Sequence, residues 1–434
     1  MKKILLMVVA VICTESISVA QAWSPIGTGM PNSVRAMVVH NSELYVGGSF
    51  LTADGNTVNC IAKLNGSTWT AVGTGFNNHV HALCVYNNEL YAGGDFTTAD
   101  GNAASRIAKW NGSSWVALGS GTSETVYAMA VYNGSLYVGG DFLTAGGNSA
   151  NRIARWNGTS WAGLGGPSDG IAVVFALAVY NSELYVGGAF TQVNSSPANY
   201  IAKFDGSSWS TVGAGMDNNV NALVVYNSEL YAGGGYTMAG GSPAANIAKW
   251  NGTAWSTIGA GCDNTVSALH VYNSELYAGG YFTSAGGNAA NRIAKWNGSS
   301  WSALGTGMNS NIRTIGALNS YLYAGGDFTT AGGNTANRVA KWGAPSSVNE
   351  SEVNHMIEVF PNPFTDKAQI VLNSGLGVKQ SLFMYNSNGQ LVKNVTGLTG
   401  NRFELSKENL KAGLYLLVLI SETGEKSMVK CIVY

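Results

Sequence analysis

The chain has 434 residues and a formal net charge of −1, and only 11% of its residues are charged. This near-neutral balance, without a basic stripe, argues against a nucleic-acid partner, and the hydrophobic fraction of 46% excludes a disordered chain. The 57 glycines, with abundant Asn, Ser and Thr, favour short strands joined by tight turns. A large, strand-rich protein is expected.

The N-terminus has the pattern of a secretory signal peptide. Lysines at positions 2 and 3 precede an apolar run, and Ala20-Gln21-Ala22 forms a small-x-small cleavage site. We predict a signal peptide over residues 1–22 and a mature chain that begins at Trp23. No other stretch is long and apolar enough to span a bilayer, so an exported protein without a transmembrane segment is expected.

The five cysteines do not form a disulfide or zinc pattern. Cys13 lies in the predicted signal peptide, and a lipoprotein anchored through it is disfavoured because the preceding Ile12 is bulky. The other four share no spacing: Cys60, Cys84, Cys262 and Cys431. We expect buried or incidental thiols.

A pentapeptide of the form Leu-Tyr-Val/Ala-Gly-Gly occurs seven times, at five intervals of 46 residues and one of 48. The copies begin at Leu44, Leu90, Leu136, Leu184, Leu230, Leu276 and Leu322. A fixed period of this length is typical of a repeat architecture.

Each repeat contains four short runs of strand-forming residues. In the second repeat they cover residues 80–86, 89–92, 106–110 and 114–118. Four antiparallel strands without helical periodicity indicate a propeller blade. Asn111-Gly112 predicts a type I′ turn, in which both central residues have positive φ. The same Asn-Gly-Ser/Thr motif spells a glycosylation acceptor, but Asp205-Gly206 replaces it in the fourth repeat, which keeps the turn and loses the acceptor.

The tryptophans predict how the ring closes. The fourth strand has its Trp at six places: Trp69, Trp115, Trp161, Trp209, Trp255 and Trp301. The seventh repeat stops after Trp342, whereas residues 23–27 match residues 301–305. We predict that the N-terminal strand completes the last blade, three strands plus one, which removes the exposed sheet edges.

The repeat resembles those of known propellers. Gly-Gly at the end of the second strand, with aromatic residues in the third and fourth, resembles Kelch-type and galactose-oxidase-like repeats. The fuller pattern is similar to repeats of fungal cortical-marker proteins and of many bacterial surface proteins. The resemblance covers residues 23–342 and implies a β-propeller, which the count of repeats makes a seven-bladed one over residues 23–343. It leaves the function open, because propellers host many unrelated activities.

After a predicted linker over residues 344–353, residues 354–434 have a different pattern. Alternating apolar strands and Asn/Gly turns predict a small Ig-like β-sandwich. Pro361-Asn362-Pro363-Phe364, a later Gly413-Leu414-Tyr415 and a terminal apolar strand resemble the type A C-terminal sorting domain of the type IX secretion system. That resemblance implies a Gram-negative bacterium of the Bacteroidota, and the secretion machinery and its sortase-like peptidase as partners. A generic accessory module is the alternative.

One position diverges among the repeats, between a nearly constant β-branched residue and a nearly constant Ala in the first strand. It is occupied by Arg35, His81, Tyr127, Phe175, Asn221, Ser267 and Arg313. Because the first strand of a blade is innermost, we expect these side chains to surround the axis near the long loops. They suit a sugar or a carboxylate. The alternative is a tolerant, half-solvated position at which sequence drift shows.

Acidic residues follow Gly-Gly in three repeats, and each has an Arg eleven residues later. The pairs are Asp95 with Arg106, Asp141 with Arg152, and Asp327 with Arg338; only Tyr281 with Arg292 breaks the correlation. A local ion pair that braces the long loop is favoured over catalysis, although an exposed pair contributes little stability.

Two metal-like patterns are weak. Asp54 and Asp100 resemble parts of calcium loops, but other repeats have Gly there and the alternating acidic ligands are missing. His79 and His81 share one face of a strand, yet the sequence shows no third ligand. We expect neither metal nor cofactor.

No catalytic constellation stands out, since Asp-box repeats, a copper constellation and a Gly-x-Ser-x-Gly elbow are missing. The sequence predicts a secreted or cell-surface propeller that binds a glycan or protein. One alternative is an extracellular polysaccharide hydrolase or lyase with facing carboxylates in a central pocket. The other is a purely structural surface protein.

Overall fold

The computed structural model describes residues 21–170, 172–343, 357–372, 380–386, 391–398, 402–407, 410–421 and 426–433. The chain divides into two compact units, Met1–Pro345 and Ser346–Tyr434. The predicted linker and all but the last two residues of the predicted signal peptide lie outside the described residues. Within those residues every regular element is a strand, and none forms a helix that could cross a bilayer.

The first unit contains seven antiparallel sheets of four strands each. Their strands, from the first to the fourth, are: blade 1, Val34–His40, Glu43–Gly48, Ile61–Asn65 and Thr68–Ala71; blade 2, Val80–Tyr86, Glu89–Gly94, Ile107–Trp110 and Trp115–Ala117; blade 3, Val126–Tyr132, Ser135–Gly140, Ile153–Trp156 and Trp161–Gly163; blade 4, Val173–Tyr180, Glu183–Ala189, Ile201–Phe204 and Trp209–Thr211; blade 5, Val220–Tyr226, Glu229–Gly234, Ile247–Trp250 and Trp255–Thr257; blade 6, Val266–Tyr272, Glu275–Gly280, Ile293–Trp296 and Trp301–Ala303; blade 7, Ile312–Leu318, Tyr321–Gly326, Val339–Gly343 and Ala22–Pro25.

The long loop between the second and third strands carries a small hairpin in every blade. These hairpins pair Thr52–Ala53 with Asn56–Thr57, Thr98–Ala99 with Asn102–Ala103, Thr144–Ala145 with Asn148–Ser149, Gln192–Val193 with Ser196–Pro197, Met238–Ala239 with Ser242–Pro243, Ser284–Ala285 with Asn288–Ala289, and Thr330–Ala331 with Asn334–Thr335.

The N-terminal strand closes the ring as predicted. Ala22–Pro25 pairs antiparallel with Val339–Gly343 and places Trp23 opposite Trp342. The first strands of all neighbouring blades are in contact, including those of blades 7 and 1. The all-β fold, its seven blades and its three-plus-one closure are therefore confirmed.

One hydrogen bond recurs at every junction between blades. The indole Nε1 of each fourth-strand Trp donates to a backbone carbonyl just after the fourth strand of the preceding blade. The pairs are Trp23 with Leu304, Trp69 with Ile26, Trp115 with Val72, Trp161 with Leu118, Trp209 with Leu164, Trp255 with Val212, and Trp301 with Ile258. The series is closed because the bond from Trp23 joins the two ends of the ring.

The paired glycines of the repeat allow two close approaches. A Cβ atom on Gly93 would lie 2.4 Å from Val126 Cγ1 in the next blade, so the first glycine lets neighbouring blades pack together. A Cβ atom on Gly94 would lie 2.0 Å from the carbonyl oxygen of His79, so the second lets the first two strands meet closely. The repeated Gly-Gly is therefore a packing requirement.

The turn prediction was wrong for Asn111-Gly112. Only Gly112 has positive φ; Asn111 Oδ1 instead accepts hydrogen bonds from the backbone N–H groups of Ser113 and Ser114, at 3.0 and 2.9 Å. Asp205 makes the equivalent bonds, which confirms that Asp preserves the turn. Two positive φ values occur instead between the first and second strands, as at Asn87-Asn88.

The second unit is a two-sheet sandwich, as predicted. One sheet consists of Ile357–Phe360, Lys367–Leu372 and Arg402–Ser406; the other consists of Leu391–Leu398, Gln380–Asn386, Gly413–Ser421 and Lys426–Val433. Side chains from both sheets form one core, in which Ile370 and Leu405 pack with Leu417 and Cys431. The four described cysteines are free thiols, of which Cys84 alone is only half-buried.

Candidate functional site

The first strands of all seven blades surround a cavity of about 290 Å³. Six of the seven predicted site residues line it: Arg35, His81, Tyr127, Phe175, Ser267 and Arg313. Asn221 does not belong to the lining, although its neighbours Ala222 and Leu223 do. The structure thus brings together six side chains that are far apart in sequence.

Each of these seven positions is the extra residue of a β-bulge. In blade 2, Val80 lies opposite Gly94 and Ala82 lies opposite Gly93, so His81 has no partner in the second strand. The same register shift occurs in every other blade. Bulges redirect a side chain and are frequent beside binding sites. The divergent position is therefore presented toward the axis by a constant backbone feature.

A second set of side chains lines the cavity two residues further along each first strand. It is apolar throughout: Met37, Leu83, Met129, Leu177, Leu223, Leu269 and Ile315. Because a strand rises by about 3.3 Å per residue and these side chains come after the bulged residues, this collar lies further from the start of the first strands. The cavity therefore has a polar and aromatic rim above an apolar collar.

Aromatic rings from three consecutive blades meet along the rim. The centroids of His81 and Tyr127 are 5.1 Å apart, and those of Tyr127 and Phe175 are 5.7 Å apart. We call His81, Tyr127 and Phe175 the aromatic arc. Sugars stack on such surfaces through their apolar faces, while His and Tyr also offer hydrogen bonds.

The two arginines of the rim differ in their partners. Arg313 forms a bidentate pair with Asp327, with Nε–Oδ1 at 2.9 Å and Nη2–Oδ2 at 2.8 Å, and the Ser33 hydroxyl donates to the same carboxylate. Arg35 forms no ion pair among the described residues, and its buried Nε has no hydrogen-bond partner there. Burial, and then the nearby Arg313 charge, lowers the pKa of Arg35. Arg35 thus supplies the cation available to an anionic ligand.

The predicted Asp–Arg ion pairs are wrong in their acceptor atom. Arg106 Nη1 donates to the backbone carbonyl of Asp95, at 2.6 Å, rather than to its carboxylate. Arg152 and Arg338 make the equivalent bonds to Asp141 and Asp327. Arg292 bonds to the carbonyl of Tyr281 in the same way, which explains why this pair lacks an acid. The arginines brace the backbone, and the carboxylates are left to make other contacts.

Two of these carboxylates differ sharply in their surroundings. Burial would raise the pKa of Asp327, but hydrogen bonds from Arg313 and Ser33 hold it below its usual value. Asp141 has an oxygen that is buried without a partner among the described residues, and burial raises its pKa. Asp327 and Asp141 occupy the same repeat position, but the surroundings favour the ionised form of Asp327 in blade 7 and disfavour that of Asp141 in blade 3.

Blade 2 brings two histidines to one carboxylate. Asp95 Oδ2 lies 3.0 Å from His81 Nε2 and 3.2 Å from His79 Nδ1. Burial lowers the pKa of His81 and outweighs the opposite effect of Asp95. Sequence spacing did not show that Asp95 faces these histidines, so this third potential ligand was not evident from the sequence.

The calcium-like aspartates hold the backbone instead. Asp54 accepts from the N–H groups of Thr28 and Trp69, at 2.7 and 3.1 Å. Asp100 accepts equivalently from Thr74 and Trp115. Each carboxylate fastens the fourth strand of its own blade to the loop that joins the preceding blade to it.

The described geometry defines a closed seven-bladed propeller with an axial cavity, followed in the chain by a two-sheet sandwich. Residues 14–179 and 168–321 match the Rax2 C-terminal beta propeller domain, and the chain belongs to this family. Residues 358–434 match the Secretion system C-terminal sorting domain. The predicted type IX sorting domain is thereby confirmed, and the protein is secreted or displayed on the outer cell surface.

Individual relatives add little. No curated protein matches the chain. A solved structure described as a novel fungal alcohol oxidase of the AA5 family, in complex with copper, aligns with 95% of this chain and 99% of its own at 13% identity and a TM-score of 0.43. A likeness this distant supports no conclusion about shared chemistry.

Proposed function

We propose that the protein is a secreted or surface-attached binding protein whose ligand, a glycan or a protein, is held at the rim of the axial cavity without being transformed. The observation that carries the proposal is the asymmetry of the rim. Blades 7, 1, 2, 3 and 4 contribute two arginines and the aromatic arc, whereas blade 6 contributes only Ser267 and the bulged residue of blade 5, Asn221, lies outside the lining. The blades resemble one another elsewhere, and their side chains diverge at the rim, where a ligand would bind.

The rim suits an acidic glycan best. Arg35 presents a guanidinium that can bind a carboxylate or sulfate through two hydrogen bonds, because it lacks an ion-pair partner of its own. Beside it, His81 and Tyr127 offer flat faces for a sugar ring. At about 290 Å³ the cavity is at the small end of ligand pockets, so a short or terminal segment is expected.

A glycan array tests the proposal. The full chain is compared with a variant in which Arg35, His81, Tyr127 and Arg313 are replaced by Ala. A control variant carries Asn221→Ala and Ser267→Ala, which change the equivalent bulged positions of blades 5 and 6. We expect acidic glycans to bind the wild type and the control, and to lose binding to the fourfold variant. Equal binding by all three proteins would eliminate the rim as the site.

One observation favours a second function, cleavage of an extracellular polysaccharide. The raised pKa of Asp141 is what a general acid needs, and its charge is felt by Tyr127 on the rim. In that case incubation with acidic polysaccharides would release reducing ends or unsaturated sugars, and Asp141→Asn would abolish the release. If the same polysaccharides bind to the protein and no product is released, the result supports the non-catalytic proposal.

The sorting domain supports export by the type IX machinery, with residues 354–434 as the part that it recognises. Deletion of these residues in the native host should leave the propeller inside the cell envelope. Normal arrival outside the cell would contradict this route. A purely structural surface role predicts normal export and no array binding.

A further inference from the structure

We propose that His79, His81 and Asp95 form a binding site for one divalent transition-metal ion, with Zn²⁺ as the best match. The inference goes beyond ligand binding at the rim and does not depend on it, because the metal can be measured with no glycan present.

The donor atoms are already arranged as a ligand set. His81 Nε2 and His79 Nδ1 lie 3.0 and 3.2 Å from the same oxygen, Asp95 Oδ2, and all three atoms are within 4.8 Å of one another. Zinc bonds of about 2.0–2.2 Å at tetrahedral angles require donors about 3.4 Å apart. The two His–Asp distances therefore need to widen by only a few tenths of an ångström, and the two histidine nitrogens already lie within 4.8 Å of each other.

The backbone holds these ligands on rigid elements. His79 and His81 flank the first residue of a first strand, and Asp95 follows the second strand, where its N–H donates to the His79 carbonyl at 2.9 Å. Only glycine at position 94 permits this approach. Arg106 donates a further hydrogen bond to the Asp95 carbonyl. Supporting hydrogen bonds and rigid elements of this kind orient the ligands of a metal site.

The other blades are internal controls, because they share this backbone frame and differ in side chains. The equivalent triplets are Ser33, Arg35 and Ser49; Thr125, Tyr127 and Asp141; Val173, Phe175 and Ala189; Asn219, Asn221 and Gly235; Thr265, Ser267 and Tyr281; Asn311, Arg313 and Asp327. In the described part of the chain, the blade 2 triplet is the one group of three His, Cys, Asp or Glu side chains whose donor atoms come this close. The shared backbone frame therefore does not require three metal-binding side chains at these positions.

The site is accessible and adjoins the rim. The His79 side chain is 41% exposed, and that of His81, which lines the cavity, is 12% exposed. Three protein ligands leave at least one coordination position for water or another donor. Two imidazoles with one carboxylate suit zinc and its first-row neighbours better than calcium or magnesium, which prefer oxygen ligands.

Isothermal titration of the untagged full chain with Zn²⁺ and with Co²⁺ tests the proposal. We expect one ion per chain, no comparable binding of Ca²⁺ or Mg²⁺, and a Co²⁺ spectrum without thiolate charge-transfer bands. His79→Gln, His81→Gln and Asp95→Asn should each lower the affinity by about tenfold or more. Asp141→Asn, the equivalent acid in blade 3, and His270→Gln, a histidine of another first strand, should leave it unchanged.

Thermal unfolding followed by circular dichroism shows whether each variant is folded, and His79→Gln, at the most exposed ligand, is the decisive one. The proposal is overturned if the wild type binds neither ion. It is equally overturned if folded His79→Gln and Asp95→Asn bind as tightly as the wild type, or if the cobalt spectrum shows cysteine ligands.

Discussion

The outer frame of the propeller and the rim of its cavity use the repeat in opposite ways. In the frame, one indole-to-carbonyl bond and one Gly-Gly approach recur in all seven blades. At the rim, one β-bulge recurs as well, but the residue it presents ranges from Arg35 to Phe175 and Ser267. The difference teaches that the blades share their backbone geometry while one side chain per blade varies, which is what the proposed binding at the rim requires. Stability and binding should therefore respond to different substitutions.

The largest effect is expected in the frame. Trp301→Ala removes a buried indole and its bond to Ile258, so we expect a loss of about 3–5 kcal/mol in the free energy of unfolding. Trp23→Ala should cost a similar amount, because the closing strand makes the same bond. Urea unfolding of the full chain measures both. Ser267→Ala, on the rim of the same blade as Trp301, should stay within about 0.5 kcal/mol of the wild type. A larger loss of unfolding free energy for Ser267→Ala than for Trp301→Ala would contradict this division between the frame and the rim.

An intermediate effect tests how the frame braces the long loops. Arg152→Met and Arg292→Met each remove a charged donor from a backbone carbonyl, so each should cost about 1.5–3 kcal/mol. The two losses should be similar, although Asp141 precedes one bond and Tyr281 the other. A loss confined to Arg152→Met, measured by the same unfolding experiment, would restore the ion-pair interpretation.

Smaller effects on stability, opposite in sign to each other, are expected for two carboxylates beside the rim, Asp327 and Asp141. The pKa of Asp327 is lowered in the folded state, so its ionised form stabilises the fold above the ordinary Asp value of about 3.9, and this contribution is lost as the pH falls through the folded pKa. Asp327→Asn should therefore destabilise at pH 7, and its deficit should shrink in acid.

Asp141 should behave in the reverse manner. Its folded pKa is raised, so the wild type loses stability as the pH rises from the ordinary Asp value through that raised pKa. Asp141→Asn should be more stable than the wild type at pH 7 and lose this advantage in acid. Unfolding midpoints at neutral and acidic pH check both variants. If Asp327→Asn and Asp141→Asn changed the stability in the same direction at pH 7, the contrast between blades 7 and 3 would be refuted.

The sequence alone was sufficient for the frame. The period of the repeat predicted seven blades, and the unmatched Trp23 predicted the closing strand, because both depend on local pattern and counting. It was also sufficient to select the divergent rim position, since repeats within one chain can be compared with each other.

Contacts made by individual atoms were not predictable in the same way. The correlation of Asp95 with Arg106 showed that the two residues occur together, but not that the bond goes to a main-chain carbonyl. The side chain of Asn111 replaces the backbone geometry of a type I′ turn, which a dipeptide cannot reveal. The approach of Asp95 to His79 and His81 depends on Gly94 and on strand register, which sequence spacing does not show.

The central claim is that the rim binds the ligand while the frame only supports the rim. A crystal structure of the protein with the acidic glycan that binds most strongly on the array tests this claim most directly. The account predicts that the acidic group lies against Arg35 and that a sugar ring stacks on His81 or Tyr127. Density for the glycan on the outer strands or on the Asn-rich turns, with the rim empty, would contradict it.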